Sequence, residues 1–107
     1  MAAFYKNAKA DLTDTSATTL YTAPAATTAI FRSLVVADDS GSTSTITVTV
    51  TDSASAVFVL YNVKATTTNG TVELLTQPLV IQESEILKVT AANANRLHVI
   101  GSYLEIT

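Results

Sequence analysis

The chain has no cysteine and no tryptophan, a single histidine, two prolines and three glycines in 107 residues. Without cysteine there is neither a disulfide nor a thiolate metal site, so the fold must be held by its core alone. The length suits one domain, and a chain of this size buries roughly 65% of the surface that its unfolded form exposes. Gly41, Gly70 and Gly101 lie far apart, which excludes a glycine-rich phosphate cradle. Charged residues make up 14% of the chain, against about 25% in an ordinary soluble domain. The six basic residues, Lys6, Lys9, Arg32, Lys64, Lys88 and Arg96, form no stripe, so direct nucleic-acid binding is not expected. No apolar run approaches the ~20 residues of a membrane helix, and no membrane partner is expected. Residues 1–10 lack the apolar centre of a signal peptide, which predicts synthesis in the cytoplasm.

Hydroxyls and small side chains fill the gap left by charge. There are nineteen threonines and sixteen alanines, and the net charge is only −3. Threonine is β-branched and suits the open face of a pleated sheet. A surface of Thr, Ser and Ala is wettable yet inexpensive to desolvate, because few ions must shed water. Such a surface favours packing against neighbours.

Helical periodicity is missing, and the best candidate, residues 83–94, reads equally as a turn followed by a strand. Residues 44–52 alternate without a break, with Ile46, Val48 and Val50 on one side and Thr45, Thr47, Thr49 and Thr51 on the other. That is the pattern of a half-buried strand. Further strands are expected at 18–22, 28–37, 56–63, 71–75, 79–81, 86–91 and 96–106, separated by turn residues such as Asp38-Asp39-Ser40-Gly41 and Asn69-Gly70. Asn69-Gly70-Thr71 also matches a glycosylation sequon, but it reads as a turn. Residues 56–63 are apolar on both faces, which predicts a central, covered strand. Gly101 within the last strand marks a bulge or a close backbone approach.

About eight short strands with turns every 8–12 residues predict an all-β fold, an antiparallel β-sandwich of either jelly-roll or immunoglobulin-like topology. The expected core is Leu20, Ile30, Leu34, Val36, Ile46, Val48, Val50, Phe58, Leu60, Leu74, Leu87, Val89, Leu97, Val99 and Leu104. Residues 12–107 form the sandwich domain. Residues 1–11 read as an extended N-terminal arm, with Phe4 and Tyr5 beside Lys6 and Lys9. The aromatics would anchor in a neighbour's pocket while the lysines meet its acids. The plainer reading is a frayed end or an extra edge strand of the same domain. Candidate interface residues are therefore Phe4, Tyr5, Lys6, Lys9, and Thr45, Thr47 and Thr49 on the threonine face.

No constellation for catalysis emerges. His98 lies between Leu97 and Val99 without a Gly-x-Ser-x-Gly elbow elsewhere. The nine acids fall mostly at predicted turns and strand ends. Asp38, Asp39 and Asp52 could meet at one end of the sandwich and offer oxygens to Ca²⁺, though no EF-hand spacing exists. Neither an enzymatic activity nor a cofactor is expected.

Four segments carry a resemblance: Leu20-Tyr21-Thr22-Ala23-Pro24; Thr28-Ala29-Ile30-Phe31-Arg32-Ser33-Leu34-Val35-Val36-Ala37; Val72-Glu73-Leu74-Leu75; and Ile86-Leu87-Lys88-Val89. Across residues 12–106 the pattern resembles small structural proteins of tailed bacteriophages, especially phages of marine bacteria. The resemblance implies a virion component built into a particle in many copies: a capsid decoration (cement) protein bridging subunits of the major capsid protein, or alternatively a tail, neck or fibre part. A decoration role implies a homotrimer at a local threefold. A receptor- or carbohydrate-binding module is the second expectation. The resemblance transfers no functional residue.

Overall fold

Strands that alternate apolar and hydroxyl side chains bury one face each, so two sheets must stack on their apolar sides. The computed structural model describes residues 2–107, and among them are nine strands and no helix: β1 (Ala3–Leu12), β2 (Thr18–Thr22), β3 (Thr28–Asp38), β4 (Thr45–Thr51), β5 (Val57–Ala65), β6 (Thr71–Glu73), β7 (Leu79–Ile81), β8 (Ile86–Ala91) and β9 (Leu97–Ile106). The first sheet has the order β1-β9-β3-β6, with β7 also paired to β3; the second has the order β2-β8-β4-β5. Every pairing is antiparallel. The chain crosses between sheets from β1 to β2, β2 to β3 and β3 to β4, the wrapping of a jelly roll. In an immunoglobulin order the first two strands would share a sheet.

Of the arm expected at residues 1–11, Met1 lies outside the described residues and Ala3 to Asp11 belong instead to a ninth strand. β1 pairs with β9 over its whole length, from Ala3 opposite Ile106 to Leu12 opposite Leu97. Leu12 is buried, and Ala8 and Ala10 pack against the core. These small inward side chains carry too little hydrophobic signal to compete with Phe4 and Tyr5 in the sequence, yet they suffice to seat the strand.

Most of the expected core is buried, and the exceptions have local causes. Alternation along β3 breaks at Arg32: Phe31 pairs with Tyr103 but Ser33 with Ser102. This bulge puts Ala29 and Phe31 inside ahead of it, and Leu34 and Val36 inside beyond it. Ile30 therefore faces outward, contrary to expectation. β9 runs without a bulge, and Leu97, Val99, Gly101, Tyr103 and Glu105 all point inward. Leu104 is thus on the outer face. Val50 points inward but sits near the rim and is half-buried.

β5 is the largest departure. It forms the edge of the second sheet, not its centre. Phe58 and Leu60, expected in the core, are exposed. Only Tyr61 is held inward, where its hydroxyl donates to the Leu74 carbonyl of the facing layer. The register against β4 slips twice, at Leu60 and around Val63, which takes φ 51° and donates its N–H to Thr47 Oγ1 at 3.1 Å. Opposite β5 stand only the three-residue strands β6 and β7. They are too short to cover nine residues of edge strand, and sequence periodicity cannot reveal that shortfall.

Candidate interaction surface

Cross-strand partners in an antiparallel sheet share a face. On the outer face of the first sheet this places Val80, Ile30, Leu104 and Tyr5 in one transverse row across β7, β3, β9 and β1. Ile106 and Ala3 flank it in the next row. Tyr5 is 79% exposed and Val80 49%, while Ile30, Leu104 and Ile106 are half-buried. The same bulge that turns Ile30 outward also exposes Arg32, which makes no ion pair among the described residues. Tyr5, Asn7, Arg32 and Ser102 border an open concavity of about 630 Å³ beside the apolar row. This combination of an apolar band with an unpaired guanidinium is the surface best equipped to bind something.

The seven residues singled out in the sequence do not gather in one place. Tyr5 and Lys9 lie on this outer face. Phe4 and Lys6 belong to the same strand but point to the opposite side, and the Lys6 ammonium stands 6.0 Å from the Phe4 ring centroid. Thr45, Thr47 and Thr49 line the outer face of the second sheet, on the far side of the sandwich. All three are half-buried there, Thr49 between Lys88 and Val59 and Thr47 beside Thr90.

Lys6 is turned inward by a carboxylate that the sequence reading assigned to a strand end. Glu105 is buried, and its Oε1 takes the Lys6 ammonium at 2.8 Å while Oε2 accepts the Tyr21 hydroxyl at 2.6 Å. The hydrogen bond from Lys6, then that from Tyr21, hold the Glu105 carboxyl below the usual carboxylate range against the cost of burial. Burial, followed by this same carboxylate, pushes the Tyr21 phenol well above its ordinary value. Tyr21, Phe31 and Tyr103 pack around the site with ring centroids 4.6–5.4 Å apart. The inward parity of Glu105 with Leu97, Val99 and Tyr103 was the available signal. This network fastens one sheet to the other.

His98 lies on the outer face of β9, half-exposed, with Nε2 3.2 Å from Asp11 and Nδ1 3.9 Å from Asp39. The imidazole and the two carboxylates form a polar cluster at the surface. The three acids considered for Ca²⁺ do not meet. Asp38 is buried, and its Oδ1 accepts the N–H and hydroxyl of Ser40 at 3.0 and 2.8 Å. Asp52 lies at the other end of β4, about 20 Å along the strand, where it accepts the N–H groups of Ala54 and Ala56. Among the described residues no three carboxylate or imidazole side chains converge as metal ligands.

Comparison of the chain with protein-family models, with curated proteins and with solved structures finds no match to any of the three.

Proposed function

We propose that this chain is a structural component of the virion of a tailed bacteriophage, a capsid decoration protein that bridges subunits of the major capsid protein. The observation that carries this reading is the apolar row Val80–Ile30–Leu104–Tyr5, which runs across a four-strand sheet face. A flat band of this kind, with few charges to strip of water, suits docking onto another protein. Jelly-roll sandwiches recur in capsid and lectin domains, an analogy of fold that raises the prior without assigning the role. In this reading the first sheet lies against the shell and the threonine face of the second sheet looks outward. The protein is made in the host cytoplasm and functions in the particle.

The test uses shells of the parent phage from which this protein has been removed. Added protein should co-sediment with the shells and raise their resistance to heat. Replacing both Tyr5 and Val80 by aspartate should weaken co-sedimentation by at least tenfold, with an unchanged circular dichroism spectrum. Wild-type protein that stays in the supernatant would sink the decoration role and favour a tail, neck or fibre position.

One observation favours a second reading, a carbohydrate-binding module. Tyr5, Asn7, Arg32 and Ser102 combine an exposed ring with amide, guanidinium and hydroxyl groups beside one concavity, the mixture by which sugars are stacked and hydrogen-bonded. Specific retention on a glycan array, lost on Tyr5→Ala, would establish it.

A further inference from the structure

The exposed edge of β5 has no use in the docking face described above, which lies on the other sheet. Its first seven residues, Val57-Phe58-Val59-Leu60-Tyr61-Asn62-Val63, carry no charge, and Lys64 follows them. Val57, Phe58, Val59 and Val63 are each between 57% and 61% exposed, and Leu60 is 39% exposed. Phe58 stands on the side of Val50, and Val57 and Val59 on the side of Thr51 and Thr49, so both faces of this edge are apolar and uncovered. A β-prone edge segment of this kind is a template for pairing with another chain.

We infer that β5 is the seat of a two-fold dimer in which it pairs antiparallel with β5 of a second copy, joining two four-stranded sheets into one of eight strands. The backbone fixes the register. The Asp52 N–H donates to the Ala56 carbonyl at 2.9 Å, and Val50 stands opposite Phe58. The two-residue alternation of an antiparallel ladder then turns the N–H and C=O of Phe58 toward Val50. Those of Val57 and Val59 face the free edge. A two-fold axis at Phe58 sets each Val57 against the partner's Val59, where each pair exchanges two hydrogen bonds. The two Phe58 residues meet as a non-hydrogen-bonded pair with side chains close together.

The occupant is a second copy for three reasons. A patch without charge gives a charged partner nothing to select, whereas like meets like here without repulsion. The contact is isologous, the same patch on both sides, which closes as a pair. A ring of three, which a decoration role implies, would need two different patches. Finally, the free N–H and C=O groups of Val57 and Val59 meet their complements in the same edge of a second copy. The bulges at Leu60 and Val63 end the ladder after a few residues. They prevent the edge from propagating into fibres while leaving Val57–Val59 regular. This inference stands whether or not the chain belongs to a virion.

The test uses the full chain. Sedimentation equilibrium should give an average mass rising with concentration from 11.2 kDa toward twice that value. Val59→Lys, at an exposed position that leaves the fold intact, should remain monomeric over the same range. Because the chain has no cysteine, Phe58→Cys offers a second measurement. A non-hydrogen-bonded antiparallel pair brings Cα atoms to about 4.5 Å, within the reach of a disulfide. Mild oxidation should therefore give a covalent dimer and nothing larger, while Asn93→Cys, on the loop after β8, should give at least tenfold less. Wild-type protein that is monomeric throughout, or trimeric, overturns the inference. So does cross-linking of Phe58→Cys no faster than Asn93→Cys.

Discussion

The Tyr21 hydroxyl donates to Glu105 Oε2 at 2.6 Å and so ties β2 of one sheet to β9 of the other through the interior. Most contacts between the sheets are apolar and non-directional. This one has a geometry, and it holds a buried carboxylate whose other oxygen reaches Lys6 at the rim. Tyr21→Phe keeps the ring against Phe31 and Tyr103 but leaves one Glu105 oxygen without its donor. Hydrogen bonds to charged groups contribute about 1.5–3 kcal/mol, so the substitution should cost about 2 kcal/mol in urea unfolding at neutral pH. A loss below ~0.5 kcal/mol would mean that water replaces the hydroxyl at no cost.

The same carboxylate sets an acid limit on stability. Glu105 is held below its ordinary value of 4.5, chiefly by the Lys6 hydrogen bond and then by Tyr21. Its folded-state affinity for protons is thus lower than its unfolded one. Its contribution is fully present above pH 4.5 and is lost as pH falls through the depressed value. Glu73 acts in the same direction. Burial raises its pKa, but donation from Ser33 Oγ and from the N–H groups of Leu34 and Leu75 outweighs this and leaves it lowered. Melting temperature should therefore be flat from neutrality to about pH 5 and fall below it. Glu105→Gln should lower the plateau and make the acid fall shallower, with Glu73 supplying the remainder. An identical acid slope in the variant would remove Glu105 from this account.

Gly101 is where the first sheet makes room for its largest fully buried side chain, Phe31. A Cβ there would stand 2.7 Å from Phe31 Cε2 and 3.1 Å from Cδ2. Phe31 is wholly buried and stacked on Tyr103 at 4.7 Å, so the ring has nowhere to retreat. Gly101→Ala should destabilise by about 1–3 kcal/mol, the usual cost of overpacking a core, despite replacing glycine in a strand with a residue of lower backbone entropy. Thermal unfolding monitored by tyrosine fluorescence decides this; a neutral or stabilised variant would show that the ring can shift.

Strands are legible in the sequence where alternation is clean and are misplaced where a structural event resets it. The threonine strand β4 lies where Ile46 and Val48 required, and β8 and β9 are within a residue of expectation. The glycine after Ile100 did signal a close approach, though the bulge sits across the ladder at Arg32. β5 is misplaced because hydrophobicity on both faces reads the same for a covered central strand and for an uncovered edge strand. β1 was missed because its inward residues, Ala8 and Ala10, are small. Tyr5 stands among the interface residues expected from the sequence, but the row that it completes depends on register across four strands, which no single segment encodes.

The Arg32 bulge also makes a prediction in which two neighbouring leucine-like positions behave differently. Ile30 and Leu34 share parity in the sequence and would share a face in an unbroken strand. In the fold Leu34 is fully buried, whereas Ile30 lies on the outer face between Val80 and Leu104. Leu34→Ala should cost about 3 kcal/mol, in the range for a buried leucine truncation. Ile30→Ala removes only half-buried contacts and should cost under about 1 kcal/mol. Deleting Arg32 removes the extra residue and leaves Phe31 and Leu34 inward in one unbroken alternation opposite Tyr103 and Gly101, so that variant should still fold with its core intact. Equal losses for Ile30→Ala and Leu34→Ala would mean that β3 runs without the bulge, and the apolar row on the outer face would go with it.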